Sequence, residues 1–546
     1  MNDQLFLKAV KLFTDKKFNE SKKYFENLYD NNFKNPDLLN YLSLNYIHLS
    51  QFNDAIKILT KIIADKKEDI NNYLNLAYCY QGINDFNSAI NTYKSAIKIN
   101  PHHEQPYLNL GSMLRKLKLF EQSEEILLRA KDLKSHKIYT TLSSLYIDTK
   151  QFDKALDFAN MAIEINQSDI LAINNLASIY INLKNYDLAS NFLEKGLKLY
   201  PQHPLIHLNL GVLNKNLNNL DKAKLHFQQS INSNPHLYDA YLYKSLIELS
   251  ENNFQEGWDN YEYRWYKQDT RIKPSCTKWD GSKNFQHILL WGEQGLGEQI
   301  LFGSIISEVL TVFKKITLVI DEKLKPIFQE SFPEINVYNP QDNWKKEDFD
   351  CHLPMASLGK FFRKDLNKFD NSKSYLNLIS AKRDSQKIRC GLSWKSVNSV
   401  EGDLKSIHLN QLLPLLKMEN IDFFNVQYTD EKKEIEQFNI QNNVNIQNIN
   451  QLDTFNDLYN LSKYLKSFDF LVSISNTTAH LAGALGVPTL LLLPQSVGKL
   501  WYWSNTIADK NLWYLSVKIF RQEIDGNWDL EIPKVTKYVQ EKFLNK

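Results

Sequence analysis

Along the first half of the chain the pattern of apolar and polar positions repeats. Small residues mark the period: Ala9, Ser43, Ala77, Gly111, Ser143, Ala177, Gly211 and Ser245 follow one another at steps of 34, with one step of 32. Three positions later most units carry a large apolar residue (Leu12, Tyr46, Tyr80, Leu114, Tyr146, Tyr180). Twelve positions after the marker comes a second small one (Ser21, Ala55, Ala89, Ser123, Ala155, Ala189, Ala223). Each unit reads as two helices that approach closely at the small residues, while Phe25, Tyr93, Leu127 and Phe227 fill the space between neighbouring pairs. Pro101, Pro201 and Pro235 end the second helix at equivalent places. From His287 the pattern changes to short runs rich in Ile, Leu and Val (HILLW, ITLVI, INVYN) separated by amphipathic segments. That order predicts a parallel sheet covered on both faces. It recurs after Arg389 in CGLSW, FFNVQY, FDFLVSIS and TLLLLP, so two α/β halves are expected, joined near residues 376–388.

The repeating units resemble the tetratricopeptide repeat family across residues 1–268, with about seven full units and a partial eighth. Such a solenoid offers an inner groove to an extended peptide. Two residues before the marker stand Asn75, Asn109, Asn175 and Asn209, in YLNLA, YLNLG, INNLA and HLNLG. Carboxamides both donate and accept, so a ladder of them suits a peptide backbone. The row is similar to the asparagine ladder of the O-linked N-acetylglucosamine transferases, which implies a protein acceptor held by the repeats. It is broken at Tyr41, Thr141 and Tyr243, and the alternative is that these side chains cap or cross-link neighbouring helices. The last half-repeat, NNFQEGWDNYEYRW, reads as a cap, and residues 269–286 read as a linker.

Composition sharpens the division: none of the ten tryptophans precedes Trp258, and only five of the 17 glycines lie in the first half. A hydrophobic fraction of 43% with 12% aromatics describes a folded chain. The net charge of +2 gives no electrostatic footprint for nucleic acid or an anionic membrane surface. The apolar run 481–494 is too short for a membrane span and contains Gly and Pro. No secretory signal is readable at the start, and the four cysteines lie far apart, so a reduced, cytoplasmic protein is expected.

Gly292, Gly295 and Gly297 lie between the strand HILLW and a helix, where ligands bind in parallel sheets. No phosphate-loop or dinucleotide motif accompanies them. The strings WGEQGLGEQILF, DCHLPMASLGKFF, GLSWKS, LKSIHLNQLLPLL, SISNTTAHLAGALGVPTLLLLP and LWYW, with EGWDNYEYRW before them, resemble the bacterial tetratricopeptide-linked glycosyltransferases, similar to the heptosyltransferase group. The resemblance implies an all-α solenoid followed by an α/β GT-B domain made of two Rossmann-like halves, residues 287–380 on the acceptor side and 381–546 on the nucleotide-sugar side. It implies an inverting, metal-independent transfer from a nucleotide sugar, a co-substrate with no separate cofactor, to a protein hydroxyl. Glu298 matches the family's general base, where relatives often carry Asp, with Glu293 in reserve. Asn476, Thr477, Thr478 and His480, at a helix start, together with Gly295, Gly297, Lys405 and Ser406, would receive the diphosphate, and Gln427 the base or ribose. Ser475 stands where many relatives have Asp. His480 is equally read as a structural residue, Lys405 as a solvated loop charge, and Trp501, Trp503 and Trp513 as packing. The competing function is a repeat scaffold whose GT-B half has lost its chemistry; a transferase acting on lipid-linked glycan would need the solenoid for membrane-complex assembly, and the basic or amphipathic docking face that would favour it is not readable.

Overall fold

The computed structural model describes residues 2–65, 68–266, 272, 274–369, 374–383, 386–396, 402–450, 452–495, 500–507, 510–524 and 526–545. Residues 269–271 and 273 of the expected linker, and 384–385 at the expected join of the α/β halves, lie outside them. The chain divides into two units, Met1–Asn209 and Leu210–Lys546.

The first unit is built of helix pairs, among them Asn2–Thr14 with Phe18–Asp30, Ile70–Gly82 with Phe86–Ile99, and Ile170–Asn182 with Tyr186–Leu199. The small markers are the contact points: Ala9, Ala55, Ala77, Ala89, Ala155, Ala177 and Ala189 are fully buried. A Cβ on Gly111 would stand 2.6 Å from Leu127 Cδ2, so the helices meet there at backbone distance. The turn inside each pair holds a left-handed residue: Lys16, Ser50, Asn84, Lys118, Lys150 and Lys184 all have φ between 55° and 60°. The short step of 32 has a local cause: the helix Phe120–Arg129 stops early and a 3-10 turn, Lys131–Leu133, completes the unit.

In the second unit the helical pattern continues through Leu220–Ser233, Tyr238–Ser250 and Phe254–Tyr261. These helices pack into the α/β part. Trp258 lies against Gly359, where a Cβ would stand 2.3 Å from the indole, and its Nε1 donates to Arg363 O at 2.8 Å. Asn505 Nδ2 donates to Leu249 O at 2.7 Å. The division by compactness thus falls earlier than the end of the repeat pattern, because these last helices bury their aromatic faces on the sheets.

Two sheets follow. The first contains β1 (Thr277–Lys278), β2 (His287–Trp291), β3 (Lys315–Val319), β4 (Asn336–Tyr338) and β5 (Cys351–Pro354), all parallel, in the order β1-β5-β2-β3-β4. The second contains β6 (Ile388–Ser393), β7 (Ile421–Asn425), β8 (Ile446–Asn448), β9 (Phe470–Ile474), β10 (Thr489–Leu493), β11 (Thr506–Ile507), β12 (Lys510–Asn511) and β13 (Val517–Arg521). Its parallel core runs β8-β7-β6-β9-β10-β13, with β12 and β11 antiparallel at the edge. Counted in chain order that core is 3-2-1-4-5-6, the doubly wound order, and β4-β3-β2-β5 begins the same series. β9 and β10 are buried throughout, as continuous apolar strands covered on both faces must be. The strand order reverses between β2 and β5 and between β6 and β9, and crevices open beyond the carboxyl ends of strands at such points. Among the described residues no helix is long and apolar enough to cross a membrane.

Candidate functional site

Both reversals feed one cleft of about 350 Å³, within the roughly 300–1,000 Å³ usual for ligand sites. From the first sheet come Gly295, Gly297 and Glu298, in the loop after β2 and the start of the helix Leu296–Gly303. From the second come Ser396 after β6, Lys405, and Ser475, Asn476, Thr477, Thr478 and His480 after β9. Two helix starts therefore face one space.

The first loop is closed by its own helix. Gln299 donates to Gln294 O at 2.9 Å and accepts from Asp321 N at 3.0 Å, and its side chain lies where a Cβ on Gly292 would be, 2.6 Å away. Gly297 is required by proximity: a Cβ there would stand 2.7 Å from the His480 ring. The opposite helix, Thr477–Leu485, is capped by Asn476, whose Oδ1 accepts from Ala479 N at 3.1 Å while Nδ2 donates to Ser393 Oγ at 2.7 Å, bridging the reversal between β9 and β6. The first-turn amides at Thr477 and Thr478 have no carbonyl within the helix to bond, and both residues line the cleft.

Glu298 faces this space, and Tyr502 Oη donates to its Oε1 at 3.5 Å. Burial raises its carboxyl above the usual range, opposed by hydrogen bonds from its backbone and Tyr502 and by the charge of Lys405. Lys405 itself is 5% exposed. His480 meets the Tyr514 hydroxyl through Nδ1 at 3.0 Å, and its ring lies 4.7 Å from that of Trp503 and 5.2 Å from that of Tyr502. Burial lowers its pKa to about 3, so the imidazole is neutral at physiological pH.

Several residues expected in the site are engaged elsewhere. Glu293 does not reach the cleft: its carboxylate is clamped by Arg264, with Nη2 at 2.7 Å and Nε at 3.0 Å from Oε1. Burial pushes that carboxyl up to about 7 against the pull of the guanidinium. Ser406 closes its own turn, donating to Gly402 O at 2.7 Å and accepting from Ser396 N at 3.0 Å. Gln427 is a staple: Oε1 accepts from Trp394 N and Lys395 N, both at 3.0 Å, and Nε2 donates to Lys395 O at 2.9 Å, while the residue borders a second cavity rather than this cleft. Asn476 offers its position and cap, its carboxamide being already bonded. Of the row of repeat asparagines, two are bonded to the preceding repeat. Asn175 donates to Thr140 O at 3.1 Å and Ser144 Oγ at 2.9 Å, and Asn209 donates to Asn174 Oδ1 at 2.9 Å, each reaching back one repeat. Asn109 accepts from Gln105 at 2.7 Å, and Asn75 is half-buried. The alternative of cross-linked helices describes Asn175 and Asn209.

Sequence reasoning missed Tyr428, Thr454, Phe455 and Tyr502, which also line the cleft. A second cavity of about 360 Å³, bordered by Asn425, Asn448 and Asp430, shares Tyr428 and Thr454 with it. The signal for Tyr502 was the string LWYW, which carries part of the family resemblance but whose tryptophans alone were weighed, as packing. Trp503 has a polar task too: its Nε1 donates to Ser475 Oγ at 3.0 Å.

Residues 136–169, 171–203 and 205–237 match the family model described as tetratricopeptide repeat. The N-terminal part of the chain is a run of tetratricopeptide repeats. Residues 48–130 also match the model for anaphase-promoting complex, cyclosome, subunit 3. Protein FlbA of Caulobacter vibrioides is 24% identical over 327 residues, 54% of this chain and 53% of that protein, so the chain spans about half the length of this curated relative. Among solved structures, a tetratricopeptide repeat protein from Parabacteroides merdae is 15% identical with a TM-score of 0.39, covering 45% of this chain and 98% of that one. Yeast Tom70 is 19% identical with a TM-score of 0.38, covering 47% and 56%.

Proposed function

We propose that the protein is a glycosyltransferase with a GT-B arrangement of its two Rossmann-like halves, moving a sugar from a nucleotide-sugar donor to a hydroxyl of a protein presented by the repeats. The observation that carries this reading is the convergence of two helix starts, Lys405 and Glu298 on one cleft at the reversal points of two parallel sheets. Helix starts and a lysine suit a diphosphate, because partial positive charge and free amides meet a leaving anion there. A carboxylate whose pKa is raised by burial suits proton removal near neutral pH.

In this reading Glu298 takes the proton of the acceptor hydroxyl as its oxygen attacks the anomeric carbon. The bond from that carbon to the diphosphate oxygen breaks on the opposite face, and the nucleoside diphosphate leaves with the bond's electron pair. Configuration inverts, and no step calls on a metal. His480, neutral, supports Gly297 and the helix start and adds no charge. Tetratricopeptide repeats typically bind protein partners, which supports a polypeptide acceptor; the reaction is proposed to take place in the cytoplasm.

The test is thermal denaturation of the protein with a panel of nucleoside diphosphates and nucleotide sugars. A ligand at a hundred times its Kd stabilises by about 2.7 kcal/mol, and saturable stabilisation by one nucleoside class is the expected result. No shift with any of them would sink the proposal and leave a repeat scaffold with an inert α/β part.

A further inference from the structure

Arg264 belongs to no step above, yet it is 2% exposed and every one of its five N–H groups is bonded. It stands on the 3-10 turn Glu262–Tyr266 that follows the last helix of the repeat pattern. Nε and one N–H of Nη2 reach Glu293 Oε1 at 3.0 and 2.7 Å, and the other N–H of Nη2 reaches Ser357 Oγ at 2.8 Å. Nη1 reaches Glu262 Oε1 at 2.9 Å and Tyr261 O at 3.1 Å. One residue along the loop, Gln294 Nε2 donates to Tyr261 Oη at 2.6 Å. Glu293 and Gln294 directly precede Gly295, the cap of the helix that carries Glu298.

A buried arginine is tolerated only when its fork is fully matched. Here the match is made across a long stretch of sequence, between the end of the helical part and the glycine loop. The second carboxylate oxygen of Glu293 is buried without a hydrogen-bond partner, so Arg264 is what holds that side chain. The helix that leads into this turn, Phe254–Tyr261, is fastened too: its Trp258 packs edge-on to Trp501 with ring centroids 5.4 Å apart, and Trp501 precedes the cleft residue Tyr502.

We propose that Arg264 is a positioning residue for the glycine loop: by holding Glu293 while Tyr261 holds Gln294, the last turn of the helical part sets where Glu298 stands in the cleft. The inference rests on the reading of Glu298 as the base, and it makes the end of the repeats a support behind the glycine loop, outside the lining of the cleft itself. Lysine cannot replace Arg264, since a single ammonium cannot serve Glu293, Glu262 and Ser357 in one plane.

Two variants test it, Glu293→Gln and the double variant Tyr261→Phe with Arg264→Lys, each read by hydrogen exchange and by transfer kinetics on the full chain. Exchange at residues 294–300 is expected to rise by about tenfold or more while β9 and β10 keep native rates, as local opening allows. With the base displaced, kcat should fall by about 10–100-fold with the donor KM little changed. Unchanged exchange at residues 294–300 in both variants would overturn the clamp, as would an equal rise across β6, β9 and β10, which would assign the pair to global stability alone. Local loosening with native kcat would overturn the positioning role. If the native protein transfers no sugar and binds no nucleotide, the reading of the cleft fails while the exchange measurement still decides the clamp.

Discussion

The repeats and the cleft employ the same residue types to opposite ends. In the helix Ile170–Asn182, Asn175 is 7% exposed and gives both its N–H groups to the preceding repeat, and Asn209 does likewise with Asn174. Those carboxamides knit neighbours into a stack. In the cleft, Asn476 satisfies its own cap and bridges β9 to β6, and in doing so leaves the first turn of its helix facing a space of about 350 Å³. Glu293 and Glu298 repeat the lesson within one loop: five residues apart, one is locked on Arg264 and the other faces the cleft. A polar residue closes structure or opens it to a ligand according to its partners, not its type.

The sharpest way to break the contrast is Glu298→Gln, which should lower transfer by roughly a thousandfold while nucleotide binding, read by thermal shift, stays within about threefold of native. Full turnover would return Glu298 to the class of residues that merely shape the wall. Gly297→Ala should be nearly as informative about the loop. Its Cβ would meet a His480 ring hemmed by Tyr502, Trp503 and Tyr514, and overpacking of this kind costs about 1–3 kcal/mol, visible as a lower urea midpoint at constant m. A native midpoint would show that the ring can yield.

The pH dependence follows from His480. Its folded pKa of about 3 lies below the ordinary 6.5, so the unfolded chain binds the proton first. Stability from this group is complete above pH 6.5 and is lost as pH falls towards 3, by about 1.4 kcal/mol for each unit. Denaturation midpoints at pH 7 and pH 5 should therefore diverge more in the native protein than in His480→Asn; equal divergence would place the acid sensitivity elsewhere. The smallest effects are in the repeats. Asn175→Ala should cost about 1–2 kcal/mol, whereas Asn75→Ala should change stability by less than about 0.5 kcal/mol. Equal losses from the two would erase the distinction between knitting and non-knitting positions.

Periodicity was enough to read the helical pairs, because each unit packs only on its neighbours and the small residues at their crossings must recur at the same interval. It was also enough for the alternation of strands and helices, and for placing the glycine loop and the Asn476 helix start at the ends of strands, since burial on both faces demands continuous apolar runs. The left-handed turns escaped notice because Lys and Ser occupy them as well as Asn, and only the backbone shows φ near 60°. What the chain order could not state is which polar groups meet. Arg264 and Glu293 are 29 positions apart, Asn476 and Ser393 83 apart, Tyr502 and Glu298 204 apart. Hydrogen bonds and charge pairing act at a few ångströms and carry no period. Tertiary packing alone therefore decided that Glu298 faces the cleft, that Glu293 is locked away, and that Gln427 binds its own backbone.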